Sequence, residues 1–218
     1  KMAKQKTPVV LTREEVERLF LIAVREERES KEELRQRKKD GNPFLRHAKN
    51  RIFEAIRDQA ILRLFFSTGI RLMELINLND ESVFLNESRI KVRFGKRGND
   101  EYQPVTKEDT LKALRRYLRA RRAYRYNKDH AFFIGRSGER VKRKAIQRAI
   151  KRYAREAGIS KNVYPHLLRH SFLSEYPRAT GDIRRTQVAA RHKSISSTMI
   201  YTHVSKEDVE NGLKQADL

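Results

Sequence analysis

Lysine and arginine alternate with Leu, Ile, Tyr and Phe at helical spacing along most of this chain, and that interleaving limits what it can fold into. A basic tail gathers its charge in blocks poor in apolar residues. Here cations and apolar stripes share the same segments, so the charge belongs to folded helices. The excess is large: 50 Lys and Arg against 28 Asp and Glu, a formal net charge of +22. Solubility alone does not need so one-sided a surface. A polyanion is the natural partner, because each cation that meets a phosphate releases a condensed counterion. No apolar run approaches the ~20 residues of a membrane span, and no signal peptide is visible. Nucleic acid is therefore favoured over an anionic membrane, with a cytoplasmic, nucleoid-associated location expected. The chain has 218 residues, 38% of them hydrophobic, enough for one large domain or two small ones. Cysteine is absent, which removes disulfides, thiolate catalysis and Cys-ligated zinc together. The six histidines form no H-E-x-x-H pattern, and no metal site is expected.

Local signals outline the elements. Thr12 and Glu15 form a capping box at the start of a first helix, with Leu11 and Val16 placed as a hydrophobic staple. Val16, Leu19, Phe20 and Ala23 make its apolar stripe. From Arg25 the stretch "REERESKEELRQRKKDGNP" carries one large apolar residue, Leu34, and reads as an exposed charged helix or a mobile insertion over about 25–50. Ile52, Phe53, Ile56, Ala60 and Leu64 mark a buried helix to about Ser67, with Gly69 as its left-handed cap. A short helix follows over about 71–78. In "SRIKVRFGKRGNDEYQPV", Ile90, Val92 and Phe94 alternate with cations, "GKRGND" turns, and "EYQPV" returns as a strand that, by its Pro104, lies at an edge or ends there. "AFFIG" (131–135) is a candidate third strand, and helical patterns cover about 107–126, 142–157, 166–176 and 182–191, with a last one after Ser205. The expected fold class is mainly α with a small antiparallel β-sheet.

Some of these residues suit one chemistry. Metal-free cleavage of a phosphodiester needs a nucleophile, cations against the charge that builds on the non-bridging oxygens, and an acid for the departing 5′ oxygen. Arg71 opens a helix just beyond a glycine cap, in "STGIRLMEL". Lys96 lies on the hairpin turn; Lys91 and Arg97 are alternatives for the same task. His166 and Arg169, three apart in "YPHLLRHSF", share one helix face. His192 and Tyr201 complete the set.

These stretches resemble the boxes of the tyrosine recombinase (lambda-integrase) family, its Xer-type members most closely. T-G-x-R-x-x-E-L stands here as "TGIRLMEL", H-x-x-R-H as "HLLRH", and the His-to-Tyr segment as "HKSISSTMIY". Order and separation match across about Leu11 to Ala216, the extent of a catalytic domain. The resemblance implies that fold over 1–218. It implies that Arg71 and Arg169 grip the scissile phosphate, and that His166 and His192 bond it or handle protons. Lys96 would be the general acid, and Tyr201 would attack to leave a 3′-phosphotyrosyl link. Glu74 and His170 would support. No cofactor is implied, since the phosphotyrosyl bond conserves the energy. Double-stranded DNA is the implied partner, bound by a homo-oligomer, a tetramer, whose 205–218 helix docks on a neighbouring protomer, although its apolar stripe of Val209, Leu213 and Ala216 also suits packing on its own domain. The family's N-terminal core-binding domain is expected to be absent from this stretch. One departure is specific: the family's usual Leu-Gly before the second histidine is Ala190-Arg191 here, which removes a glycine from the turn and adds a cation.

Plainer readings stand beside these. An arginine before an apolar helix usually makes a surface contact, and His170 and His203 suit structural roles. Tyr117, Tyr124 and Tyr153 lie in helical patterns and suit packing. The helix over about 142–157 carries Lys142, Arg143, Lys144, Arg148, Lys151 and Arg152. These form either a solvated face or a DNA-contacting one; the resemblance implies the latter, with most contacts to phosphate. The alternatives to a site-specific recombinase are a type IB-like topoisomerase and a DNA-binding module with a dead site.

Overall fold

A computed structural model describes residues 9–93, 100–123, 130–180 and 182–191. The capping box at Thr12 and Glu15 is formed, and it opens α1 (Arg13–Lys39). Helix α2 (Arg46–Thr68) ends at Gly69, whose φ of 59° is left-handed, as its sequence predicts. Helix α3 (Leu72–Ile76) follows. A three-stranded antiparallel sheet comes next: β1 (Val83–Phe84), β2 (Arg89–Arg93) and β3 (Asp100–Pro104), in the order β1-β2-β3. Helices α4 (Glu108–Ala123), α5 (Arg143–Glu156), α6 (Pro165–Thr180) and α7 (Ile183–Ala190) complete the described chain.

The core is built around α2, which packs against α1, α4 and α6. Ile90 and Val92 turn the inner face of β2 into that core. Strand β3 is an edge strand, and its Pro104 pairs with Arg89 at the strand's last position, where a missing N–H costs least. The third strand is β1 and not "AFFIG": Ala131 and Ile134 make only isolated bridges, to Asn79 and Arg140. Residues 131–134 are an apolar run because they are buried on all sides. Phe132 and Phe133 pack on Tyr117, whose hydroxyl donates to the Phe132 carbonyl (3.0 Å) and accepts from the Ile134 N–H (2.9 Å).

The charged stretch after Arg25 is helical, as one of its two sequence readings has it, but it is not exposed throughout. It continues α1 without a break to Lys39, and it does bury a face: Glu26, Glu27 and Ser30 extend the inward stripe of Ile22 and Ala23. Ion pairs and an amide offset the burial of the two glutamates, whereas the Ser30 hydroxyl is buried without a hydrogen-bond partner among the described residues. Glu27 binds Lys31 (2.6 Å), the Gln59 amide (2.7 Å) and Arg116, while Glu26 binds Arg152 (2.7 Å). Burial alone would raise the Glu27 carboxyl, yet Lys31, Gln59 and Arg116 hold it below its ordinary value.

At the other end of the core, Leu11 donates its N–H to the Ser171 hydroxyl (2.9 Å). This contact fixes the chain before α1 against α6, two residues from Arg169.

Candidate active site

The site is assembled from four chain segments that meet at the end of α2. The left-handed Gly69 turns the chain sharply, Ile70 is buried, and Arg71 becomes the N-cap of α3. Glu74, at the third position of α3, accepts the Arg71 backbone N–H (2.9 Å) and also the Arg71 guanidinium through Nη1 (2.8 Å). One carboxylate therefore caps the helix and orients the arginine. The second fork nitrogen, Nη2, donates to the Arg191 carbonyl (3.2 Å) at the end of α7.

Arg169 comes from α6 and is only 4% exposed. Its Nη1 donates to the Gly69 carbonyl and its Nη2 to the Ala190 carbonyl. Arg71 and Arg169, distant in sequence, thus converge on adjacent carbonyls of the same helix terminus. Residue 192 follows directly. His166 is exposed one turn before Arg169, with its ring 6.4 Å from that of His170. Burial lowers the His170 pKa, and nearby His166 and Arg169 push the same way. Both effects favour the neutral imidazole of His170, a form suited to hydrogen bonding.

Glu74 pairs with both Arg71 and Arg191. Burial favours its neutral form, but the charge of Arg191, the Arg71 N–H and the Arg71 guanidinium outweigh burial and hold its pKa below the ordinary carboxylate value. Glu74 also lines a polar cavity of about 580 Å³ that reaches Lys91, Arg93, Asp100 and Arg140. In that cavity Lys91, one alternative for the acid, is paired with Asp100 across the sheet at 3.3 Å. Lys96, Arg97, His192 and Tyr201 lie outside the described residues, as does the 205–218 segment.

Two members of the site escape the sequence reading. Gln103 is the one buried residue of β3; it donates to the Thr68 carbonyl and accepts from Arg191. Its signal is strand parity, since a glutamine shares the inward side with buried Val105. Arg191 was visible as a lost glycine, but its side-chain partners were not.

Helix α5 presents Lys142, Arg143, Lys144, Arg148 and Lys151 to solvent and buries Ile146, Ile150 and Tyr153. Arg152 is the exception. It is half-buried, bonded to Glu26 (2.7 Å), near Glu156 (3.8 Å), and stacked over the Tyr153 ring. It serves the α1–α5 contact. Exposed Arg155 takes its place in the stripe Lys144, Arg148, Lys151, Arg155, which follows i, i+4, i+7 and i+11 spacing.

The turn at Gly69 yields a direct prediction. A Cβ there would lie 2.4 Å from Cδ1 of Phe172, on a backbone at φ 59°. Gly69→Ala is expected to lose roughly 1–2 kcal/mol to the left-handed conformation and about 1–3 kcal/mol to overpacking. Urea unfolding reads the sum, and adding Phe172→Ala should return only the steric part.

Comparison with known proteins places the arrangement. Residues 34–208 match the model of the phage integrase family, and the chain belongs to that family. It is 38% identical over 151 residues to the tyrosine recombinase XerC of Alcanivorax borkumensis, covering 69% of this chain and 48% of that protein. It is 42% identical over 155 residues to the XerC of Pseudomonas aeruginosa strain PAO1, covering 70% and 49%. The chain therefore spans about half the length of the curated relatives it matches. Among solved structures, the XerA recombinase superposes with a TM-score of 0.73 at 31% identity, over 97% of this chain and 66% of that one. The XerH recombinase bound to a palindromic difH substrate shares the fold, with a TM-score of 0.73 at 22% identity over 98% and 55%.

Proposed function

We propose that this chain is the catalytic domain of a site-specific DNA recombinase that cuts and rejoins strands through a 3′-phosphotyrosyl intermediate. The observation that carries the reading is the convergence of Arg71 and Arg169 on the α7 terminus, immediately before His192. Two forked cations held rigidly side by side suit the non-bridging oxygens of one phosphodiester. Their backbone and carboxylate contacts fix them before DNA arrives, so little reorganisation is left for the reaction step.

On this reading Tyr201 attacks phosphorus, and the phosphorus–5′-oxygen bond breaks. Lys96 gives its proton to that oxygen, while His166 and His192 bond the phosphate or handle protons, one of them taking the proton that the Tyr201 hydroxyl loses. The 5′ hydroxyl of a partner strand later reverses the step and frees the tyrosine. Two of the rival tyrosines suit no such role. Tyr117 and Tyr153 are fully buried, and burial pushes the first phenol up to about 12 and raises the second as well. The α5 stripe would contact phosphates and supply affinity. We further propose that the protein works as a homo-oligomer on DNA, a tetramer, with the 205–218 segment linking neighbouring protomers. The curated relatives are named tyrosine recombinases, which supports strand exchange over relaxation.

The test is a nicked suicide duplex carrying a candidate target. The expected product is a protein–DNA adduct that resists denaturant, with the free 5′ hydroxyl on the released fragment. Random-site plasmid relaxation without exchange at paired targets would favour a type IB-like topoisomerase. Binding without any adduct would favour an inactive module.

A further inference from the structure

Arg191 holds an unusual place for a long cationic side chain. It is the C-cap of α7, and its backbone is left-handed, with φ 52° and ψ 48°. Glycine adopts that conformation freely, whereas other L-residues are held there at a cost of roughly 1–2 kcal/mol. The side chain does not extend into solvent. It is 92% buried, with residual exposure of 8%.

Its two terminal nitrogens are paired within that burial, while Nε is buried without a hydrogen-bond partner among the described residues. Nη2 bonds Glu74 Oε2 at 2.5 Å, and Nη1 bonds the Gln103 side-chain oxygen. Gln103 in turn binds the carbonyl of Thr68, next to Gly69. Glu74 holds Arg71, and Arg71 closes the circuit by donating to the carbonyl of Arg191 itself. Arg169 spans the neighbouring carbonyls, Gly69 and Ala190. Each site arginine is therefore seated on backbone that Arg191 or Gln103 fixes in turn.

We propose that Arg191 is a positioning residue. Through Glu74 and Gln103 it locks the end of α7 against α3 and β3, and so sets the orientation of Arg71 and Arg169. This rests on the strand-transfer reading. Arg191 acts through Glu74, so it differs from a residue that bonds the phosphate. A second consequence is electrostatic. Glu74 would neutralise much of Arg71 if it faced that arginine alone. Shared with Arg191, its charge is divided, and Arg71 keeps more of its pull on an incoming phosphate.

Arg191→Gly is the informative substitution, because glycine suits the backbone and only the clamp is lost. Arg191→Lys restores a point charge but not the fork that reaches both partners. The full chain is compared with Arg191→Gly, Arg191→Lys, Glu74→Gln and the Arg191→Gly, Glu74→Gln double variant. Two readouts are taken: single-turnover cleavage of a nicked duplex at saturating protein, and urea unfolding without DNA. Arg191→Gly is expected to slow cleavage on the order of 10–100-fold, the cost of misplaced catalytic groups. Affinity for intact duplex should change less than about threefold, since it is spread over many cations. Arg191→Lys should fall between. The double variant should be no slower than the worse single variant, and the urea midpoints should be equally non-additive.

Wild-type cleavage by Arg191→Gly, or effects that simply multiply in the double variant, would overturn the proposal. If the wild-type chain forms no adduct, the strand-transfer reading falls, and the urea midpoints then decide on Arg191 alone. Non-additive midpoints support the clamp, and additive ones overturn it.

Discussion

Tyr201→Phe is expected to abolish the covalent adduct entirely, with no signal above a protein-free control. The substitution removes one oxygen and nothing else of consequence to shape. Phosphorus then has no protein nucleophile, and the remaining cations can bind the phosphate but cannot form an ester with it. Duplex affinity should stay within about twofold of wild type, because the electrostatic part of binding rests on Lys and Arg. The pH profile of the wild type adds a second check. A free phenol titrates near ~10, so cleavage should quicken as pH rises from neutrality until a group that must stay protonated is lost. A Tyr201→Phe protein that still traps DNA would transfer the role to another residue. Buried Tyr117 and Tyr153 are poor candidates for it.

How far the sequence reveals this molecule depends on how local each interaction is. The Thr12–Glu15 box, the left-handed Gly69 and the edge position given by Pro104 are all set within a few residues, and each is formed as its sequence predicts. The alternation of Ile90 and Val92 likewise predicts the buried side of β2. The charged end of α1 was illegible for the opposite reason. Glu26 and Glu27 are polar by type, and what makes them inward-facing is Arg152 and Arg116, more than 80 residues away (the Glu27–Arg116 separation is 89). An apolar-stripe rule has no means of recognising a buried face made of paired charges. "AFFIG" misled in another way, because a run buried on every side has no period that separates a strand from a buried connector.

The candidate site divides along the same line. Arg71, Glu74, His166 and Arg169 sit in short boxes whose internal spacing is a helix spacing, so their grouping in pairs could be read. That the two pairs share the α7 terminus could not, since the contacts cross 120 and 21 residues. At Arg191 the family resemblance marks a glycine replaced by a cation. The backbone there is left-handed, with arginine at φ 52°, and Glu74 and Gln103 hold the side chain across 117 and 88 residues. The same logic applies to Arg152. The resemblance implied a DNA contact for it or, read from the residues, a solvated face; neither showed its partner Glu26 on α1.

Arg169→Lys is expected to lower single-turnover cleavage about 10²–10³-fold, the usual cost of removing a preorganised donor to developing charge. The geometry explains why a retained positive charge is not enough. Arg169 uses both terminal nitrogens to hold the Gly69 and Ala190 carbonyls, one on each side of its guanidinium. A guanidinium carries five N–H donors in one planar fork, a geometry that suits bracing backbone carbonyls and meeting a phosphate with the same group. A lysine ammonium is a single point with three donors. It cannot span both carbonyls and also face the phosphate. One carbonyl would be left buried and unpaired, which costs about 1–3 kcal/mol in urea unfolding. Affinity for intact duplex should fall less than about tenfold, because one cation among many carries little of the total. The separation between the two effects is the decisive quantity. Cleavage within threefold of wild type would mean that Arg169 only braces α6 against its neighbours, whereas a large loss of cleavage with affinity nearly intact is what a donor to the reacting phosphate requires.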